Sequence, residues 1–202
     1  MSKIIKTALL AVGLMCASNA LAGTTNNVYI DQVGSGSTIG ITQSGSGNEV
    51  GNDTTRATFH GNTQTINIDQ VGSQNTHNIN VQGASATLNS TVTGDSNTVT
   101  VNCGAAPTTT CTDTAITADA TGNGNTLNIT SGAKSTMSAV VTGDNNTATI
   151  SSTTSNMMGA KANVSITGSS NNVGVTQGGT VDSKVDIISS GSNNSITVNS
   201  SN

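Results

Sequence analysis

The sequence predicts an all-β fold, a two-sided flattened β-solenoid of about seven to eight rungs with roughly 22 residues per rung. Three observations carry that expectation. Apolar and polar residues alternate over short segments, as in "QTINIDQ" at residues 64–70, and period-two alternation marks a half-buried strand. Glycines that open Gly-x-x-Asn-like turns return every eleven residues from Gly61 through Gly72 and Gly83 to Gly94. The composition, 33% apolar, 1% aromatic and 8% charged with Pro107 as the one proline, suits many short strands around a narrow core. Disordered chains of similarly low hydrophobicity are rich in charge and proline, and this one is rich in neither.

Residues 1–22 read as a secretory signal peptide. Lys3 and Lys6 precede an apolar run from Thr7 to Ala17, and Ala20-Leu21-Ala22 forms a small-x-small cleavage site before Gly23. That run is too short to span a bilayer, and nothing downstream approaches ~18 consecutive apolar residues. Cys16 falls inside the signal. The mature chain, 23–202, is long enough for one domain of about 180 residues and is expected to be exported without a membrane span.

The strands follow in order. Val28 and Ile30 open the first rung, and Ile39 and Ile41 return from Gly34 toward Gly45. "NDTTRATFH" after Gly51 reads as an insertion. Ile66 and Ile68 then lead to Gly72, and Val92 stands before Gly94. Val99 and Val101 follow the turn Asn97, Leu127 and Ile129 follow Asn125, and Val141 and Ile166 stand before Gly143 and Gly168. Ala148 and Ile150, Val173 and Val175, and finally Ile196 and Val198 after Gly191 complete the series. Gly122 opens the turn that follows the cysteine loop. The count is about fifteen strands, one to each eleven-residue step, and two steps make a rung. Rungs stacked about 4.8 Å apart would form a rod of ~35 Å. Helix caps and a 3.6-residue period are missing, so helices are not expected.

Amides sit in line with the apolar faces. Gln70 shares the parity of Ile66 and Ile68, and the turn positions read Asn48, Asn75, Asn97, Asn125, Asn146, Asn171 and Asn194. In a stacked coil such a group lies above its equivalent in the next rung and can bond to it, forming a ladder. Left unpaired it would cost about 1–3 kcal/mol. Gln32, Gln43 and Gln177 are assigned to the same interior ladder. Cys103 and Cys111 bracket the loop "CGAAPTTTC". In an exported protein a disulfide is the leading reading, worth about 2–3 kcal/mol for so short a loop. A metal pair is the lesser one, because no third ligand is nearby.

Gln32-x-Gly34, Gln70-x-Gly72-x-x-Asn75 and Asn171-x-Val173-x-x-x-Gln177 resemble the curlin repeat, Ser-x5-Gln-x-Gly-x2-Asn-x-Ala-x3-Gln. Residues 26–43, "NNVYIDQVGSGSTIGITQ", match it at Asn26, Gln32, Gly34, Ser37, Ile39 and Gln43. The resemblance covers most of the mature chain. It implies an extracellular β-solenoid subunit that polymerises end to end into curli-like amyloid fibres at a bacterial cell surface. The chain would reach that surface through the periplasm, for biofilm matrix and adhesion, with a nucleator or secretion accessory protein as further partner. The sequence departs from the pattern in three ways. Gln32, Gln43 and Gln70 give way to Val92, Ala120, Val141, Ile166 and Ser189, only "GTT" stands where curlins carry an export leader, and a cysteine loop is inserted.

A solenoid exposes a strand edge at each end, and soluble ones blunt it with charges, prolines or a capping element. Here Val28 and Ile30 start the first rung almost at once and Ile196 and Val198 lie near the end, so no cap is expected and copies should stack head to tail. Asp31, Asp69, Asp95, Asp119 and Asp144 are gatekeepers against premature assembly or simply turn residues.

Chemistry is not expected. His60 and His77 lack a third ligand, and "GDSN" and "GDNN" lack the Gly-Gly-x-Gly-x-Asp tandem of calcium-binding β-rolls, so neither a metal site nor another cofactor is assigned. No Ser-His-Asp set, carboxylate pair or phosphate loop can be assembled, so no catalytic residue is named. A net charge of -4 without a basic stripe argues against nucleic acid. The alternative to a fibre subunit uses the outside of the coil. Thr76, Asn78 and Asn80, then Thr98, Thr100 and Asn102, then Thr126, Asn128 and Thr130, then Thr147, Thr149 and Ser151 would form a flat Thr/Asn face. Such a face suits a monomeric adhesin or ice-binding solenoid.

Overall fold

The computed structural model describes residues 26–200 except 53, 55, 105–110, 133, 153–158 and 179–183. The expected signal peptide at 1–22 and Pro107 lie outside the described residues. The described residues form fifteen strands and no helix. They are β1 (Asp31–Val33), β2 (Thr38–Gln43), β3 (Thr58–His60), β4 (Thr65–Gln70), β5 (Ile79–Gln82), β6 (Thr87–Val92), β7 (Val99–Cys103), β8 (Ala115–Ala120), β9 (Leu127–Ser131), β10 (Thr136–Val141), β11 (Ala148–Ser152), β12 (Lys161–Ile166), β13 (Val173–Gln177), β14 (Lys184–Ser189) and β15 (Ile196–Ser200).

Odd-numbered strands form one eight-stranded sheet, here sheet A, and even-numbered strands form a seven-stranded sheet B. Every pair is parallel and joins a strand to the one two places along the chain. The chain is therefore a β-solenoid: each rung is one strand from each sheet and the two turns that join them. Parallel stacking follows from the sequence, since a repeat of one parity superposes like on like. Ile66 lies over Ile39 and under Leu88, and Ile68 lies over Ile41.

Equivalent residues in successive rungs are 22, 27, 22, 28, 21, 25 and 23 apart. The short steps are the bare rung and the long ones carry insertions. After Gly51 the wall resumes at Ala57, and Thr58–His60 is β3. "NDTTRATFH" is thus an insertion only in its first part, because Ala57 and Phe59 have strand parity and both are fully buried. The second insertion is pinched at its base. Cys103, which ends β7, is disulfide-bonded to Cys111 across a Cα–Cα distance of 5.5 Å. Thr112 then bridges to Ala84 of the preceding rung, so the wall continues directly beyond the crosslink.

Between the sheets lies one narrow core. Ile66, Leu88, Ile116 and Met137 from sheet B, and Val99, Val101, Leu127, Ile129 and Ile150 from sheet A, are almost completely buried. Each β strand presents alternate side chains to opposite faces, so residues of the other parity form two flat polar outer walls.

Candidate assembly interface

The glycines expected to open turns divide between the two edges of the flattened coil. Gly45, Gly72, Gly94, Gly122, Gly143, Gly168 and Gly191 precede the turn asparagines along one edge, whereas Gly34, Gly61 and Gly83 stack along the other. The eleven-residue step merges these two columns because each rung crosses both edges. At the second edge Gly34, Gly61 and Gly83 adopt φ of 140°, 133° and 139°, a region that side chains disfavour. Close approach is a cause at both edges, since a Cβ on Gly61 or Gly83 would overlap the carbonyl of Gly34 or Gly61. A Cβ on Gly94, Gly122, Gly143 or Gly168 would overlap the carbonyl of the glycine one rung below.

That close stacking brings the turn asparagines into one continuous ladder. Asn75 Nδ2 donates to Asn48 Oδ1 at 2.7 Å, Asn97 to Asn75 at 2.7 Å, Asn125 to Asn97 at 2.6 Å, Asn146 to Asn125 at 2.7 Å and Asn171 to Asn146 at 2.5 Å. Asn194 donates to Asn171 at the top, and Asn48 donates to Asn26 at 3.2 Å at the bottom. From Asn48 to Asn171 each amide also donates to the carbonyl of the glycine three residues earlier. Both N–H groups are thereby used, one within the rung and one between rungs, and each described member from Asn48 to Asn171 is buried. Asn26 belongs to the curlin-like match, and the structure adds it to the ladder as well. Its signal in the sequence is the 22-residue step to Asn48, the bare rung length.

The glutamines do not join this ladder. Gln43 and Gln70 lie one above the other, yet each reaches the backbone of its own turn: Gln43 Nε2 donates to the Glu49 carbonyl, and Gln70 exchanges two bonds of 3.4 Å with the Thr76 backbone. One more methylene than Asn carries the amide past its neighbour and across the turn. Gln32 is half-buried at the opposite edge and donates to Ser37 Oγ at 3.1 Å. Gln177 is buried at that edge too, with neither amide atom bonded. Gln64, which the repeat pattern does not single out, donates from a buried position to the Gly34 carbonyl at 3.2 Å.

His77, two residues before β5, lies fully buried, and its Nδ1 is 2.6 Å from Ser90 Oγ of sheet B. Its Nε2 has no partner, so one ring nitrogen is unpaired in either neutral tautomer. Burial lowers the His77 pKa from 6.5 to about 3. In the unfolded chain the ring takes up a proton near pH 6.5, but the folded chain resists it. Stability is therefore fully present above pH 6.5 and is lost as pH falls toward 3. At pH 5 the loss from this group is about 2 kcal/mol, at ~1.4 kcal/mol per pH unit. Urea unfolding at pH 7 and pH 5 should show it, and a His77→Val, Ser90→Ala variant should show a correspondingly flatter profile. On the outer wall, burial raises the Asp119 pKa.

The two ends of the described coil are edge strands. Among the described residues, β1 and β2 at one end and β14 and β15 at the other each pair on one side only. Their inward apolar side chains are incompletely covered: Val28, Ile30, Ile39, Val185 and Ile187 are partly buried, and Ile196 and Val198 are 50% and 46% exposed. The equivalent residues one rung in, Val173 and Val175, are buried.

The outer wall of sheet A carries the Thr/Asn columns in register. Thr100 lies under Asn128 and Asn102 under Thr130, which continue to Thr149 and Ser151. Gly174 interrupts the column above Thr149. A depression on sheet B is lined by Ser138, Asn163, Ser165, Asp186 and Ile188. Among the described residues no three His, Cys, Asp or Glu side chains gather into a metal-binding group, and no helix is long and apolar enough to cross a membrane.

Compared with family models, with curated proteins and with solved structures, the chain matches none of them. The likeness to curlin rests on its repeat residues.

Proposed function

We propose that this chain is a structural subunit of a curli-like extracellular fibre, exported by bacteria and assembled head to tail from copies of itself for biofilm matrix and surface adhesion. One observation carries the reading: among the described residues both ends are unpaired parallel edges whose inward Val and Ile side chains are left half-covered. Such an edge is a template for another strand. A second copy would pair both sheets and bury these side chains at once. The role is architectural rather than catalytic, and a nucleator or secretion accessory protein would act on the same edges.

Purified 23–202 chain is expected to form unbranched fibres that bind amyloid dyes. The Ile196→Lys, Val198→Lys variant, which places charges on the inward side of the last strand, should extend at least tenfold more slowly while keeping its β-sheet circular dichroism. Equal growth by the two chains would contradict the reading.

The stacked Thr/Asn columns of sheet A favour the second reading, a monomeric adhesin or ice-binding solenoid. That reading requires thermal hysteresis from monomers. Threonine also suits exposed strand positions for its β-propensity alone.

A further inference from the structure

We infer that successive copies in the fibre are related by a half-turn about the rod axis, so that β1 of the next copy pairs with β14 and β2 with β15. The inference rests on the head-to-tail reading and specifies its junction. Its basis is an odd strand count: among the described residues sheet A has eight strands and sheet B seven. If copies stacked without rotation, sheet A on sheet A, each subunit would add eight strand spacings to one sheet and seven strands to the other. One strand position of sheet B would then stand vacant at every junction. About a dozen backbone N–H and C=O groups would face that gap, and the side chains of Val185 and Ile187 would stay uncovered.

A half-turn removes the gap. Among the described residues the last strand of the coil belongs to sheet A, so the next position lies on the sheet B side. Rotating the next copy places its first strand, β1, there. Strands of sheet A run from the asparagine edge to the other edge and those of sheet B run back, so the rotation also keeps the new pairs parallel. Inward faces remain inward. Val28 and Ile30 then fall over Val185 and Ile187, and Ile39 and Ile41 over Ile196 and Val198. The asparagine ladder stops at Asn194, because the next copy presents its opposite edge there. Unrotated stacking would keep that single amide bond but leave a whole strand edge unpaired. A strand's worth of backbone hydrogen bonds outweighs one amide bond, which favours rotation.

The geometry has a further consequence. Each side of the fibre would alternate the Thr/Asn wall of sheet A with the wall of sheet B that carries Asp69, Asp119, Lys161 and Lys184. A two-faced subunit thus builds a fibre with equivalent faces.

Disulfide trapping tests the junction. In the rotated arrangement the outward residue beside Asn199 of one copy is Thr42 of the next; without rotation it is Asp31. Fibres grown from the Thr42→Cys, Asn199→Cys variant and then oxidised should give a ladder of covalent multimers on non-reducing gels, and fibres of Asp31→Cys, Asn199→Cys should stay at least tenfold less linked. In the 23–202 chain, which lacks Cys16, the buried Cys103–Cys111 bond leaves no free thiol to confuse the result. Reconstruction of the parent fibre by electron cryomicroscopy should give a rise of about 36 Å with a half-turn, rather than about 38 Å without one, at ~4.8 Å per rung. Efficient linking through Asp31 overturns the inference, as do fibres in which neither pair links. Failure of the parent chain to form fibres instead overturns the fibre reading itself.

Discussion

Replacing Asn125 by Leu is expected to destabilise the protein by about 3–6 kcal/mol. Its amide donates to Asn97 Oδ1 at 2.6 Å and to the Gly122 carbonyl, and its Oδ1 accepts from Asn146 at 2.7 Å. Leucine keeps the branched heavy-atom skeleton, in a bulkier form, but leaves those three groups buried without a partner, each at a cost of about 1–3 kcal/mol before relaxation. The lower end of the range allows for that relaxation. Asn194→Leu is the internal control. Asn194 lies at the exposed end of the ladder, where its donors go to Asn171 Oδ1 and Ser189 Oγ, and water can replace it. Its loss should cost about 1 kcal/mol. Urea midpoints of the two variants, measured at a concentration that holds the chain monomeric, separate the cases. Equal midpoints would mean that the ladder contributes nothing beyond a surface amide.

Gly122→Ala should cost at least as much, about 3–5 kcal/mol, or prevent folding altogether. The added methyl would overlap the Gly94 carbonyl, a backbone atom held by the rung beneath it. Rung spacing is set by two rows of parallel hydrogen bonds, so the turn cannot rise without breaking both sheets. Gly40→Ala provides the contrast. Gly40 lies on the outer wall of β2, where an added methyl would meet no atom within 4 Å, and Ala there should change stability by less than about 0.5 kcal/mol. Circular dichroism and thermal melts of the two variants distinguish close approach at the turn from a uniform cost of replacing any glycine of the rungs. Similar melting of both would contradict the first explanation.

Much of this architecture was legible in the residues because a solenoid turns sequence parity into geometry. Alternation at Ile66, Ile68, Val99 and Val101 fixed which side chains face inward, and the recurring Gly-x-x-Asn fixed where the rung folds back. The asparagine column was legible for the same reason: a residue at a constant place in a rigid turn must meet its equivalent one rung away. Reach across the rung was not legible. Gln43 and Gln70 share a column as faithfully as the asparagines do, yet their longer side chains find the backbone of Glu49 and Thr76 first. The His77–Ser90 pair was hidden differently. It spans the interior between two sheets, so it depends on how one strand faces the next rather than on a repeat. The two glycine columns were indistinguishable by spacing, since both edges recur at half a rung. "NDTTRATFH" misled because an insertion obscures the phase of the strand after it, although Ala57 and Phe59 had already returned to the inward parity.

An unpaired edge on two parallel sheets connects this fold to its proposed work. Each sheet continues through the molecule without interruption from β1 to β15 and from β2 to β14, and the same hydrogen bonds that join rung to rung would join copy to copy. The most direct measurement is electron microscopy and dye fluorescence of the purified 23–202 chain, followed over days at high concentration beside the Ile196→Lys, Val198→Lys variant. Long fibres are expected from the first and few or short ones from the second. A parent chain that stays monomeric throughout would contradict head-to-tail assembly.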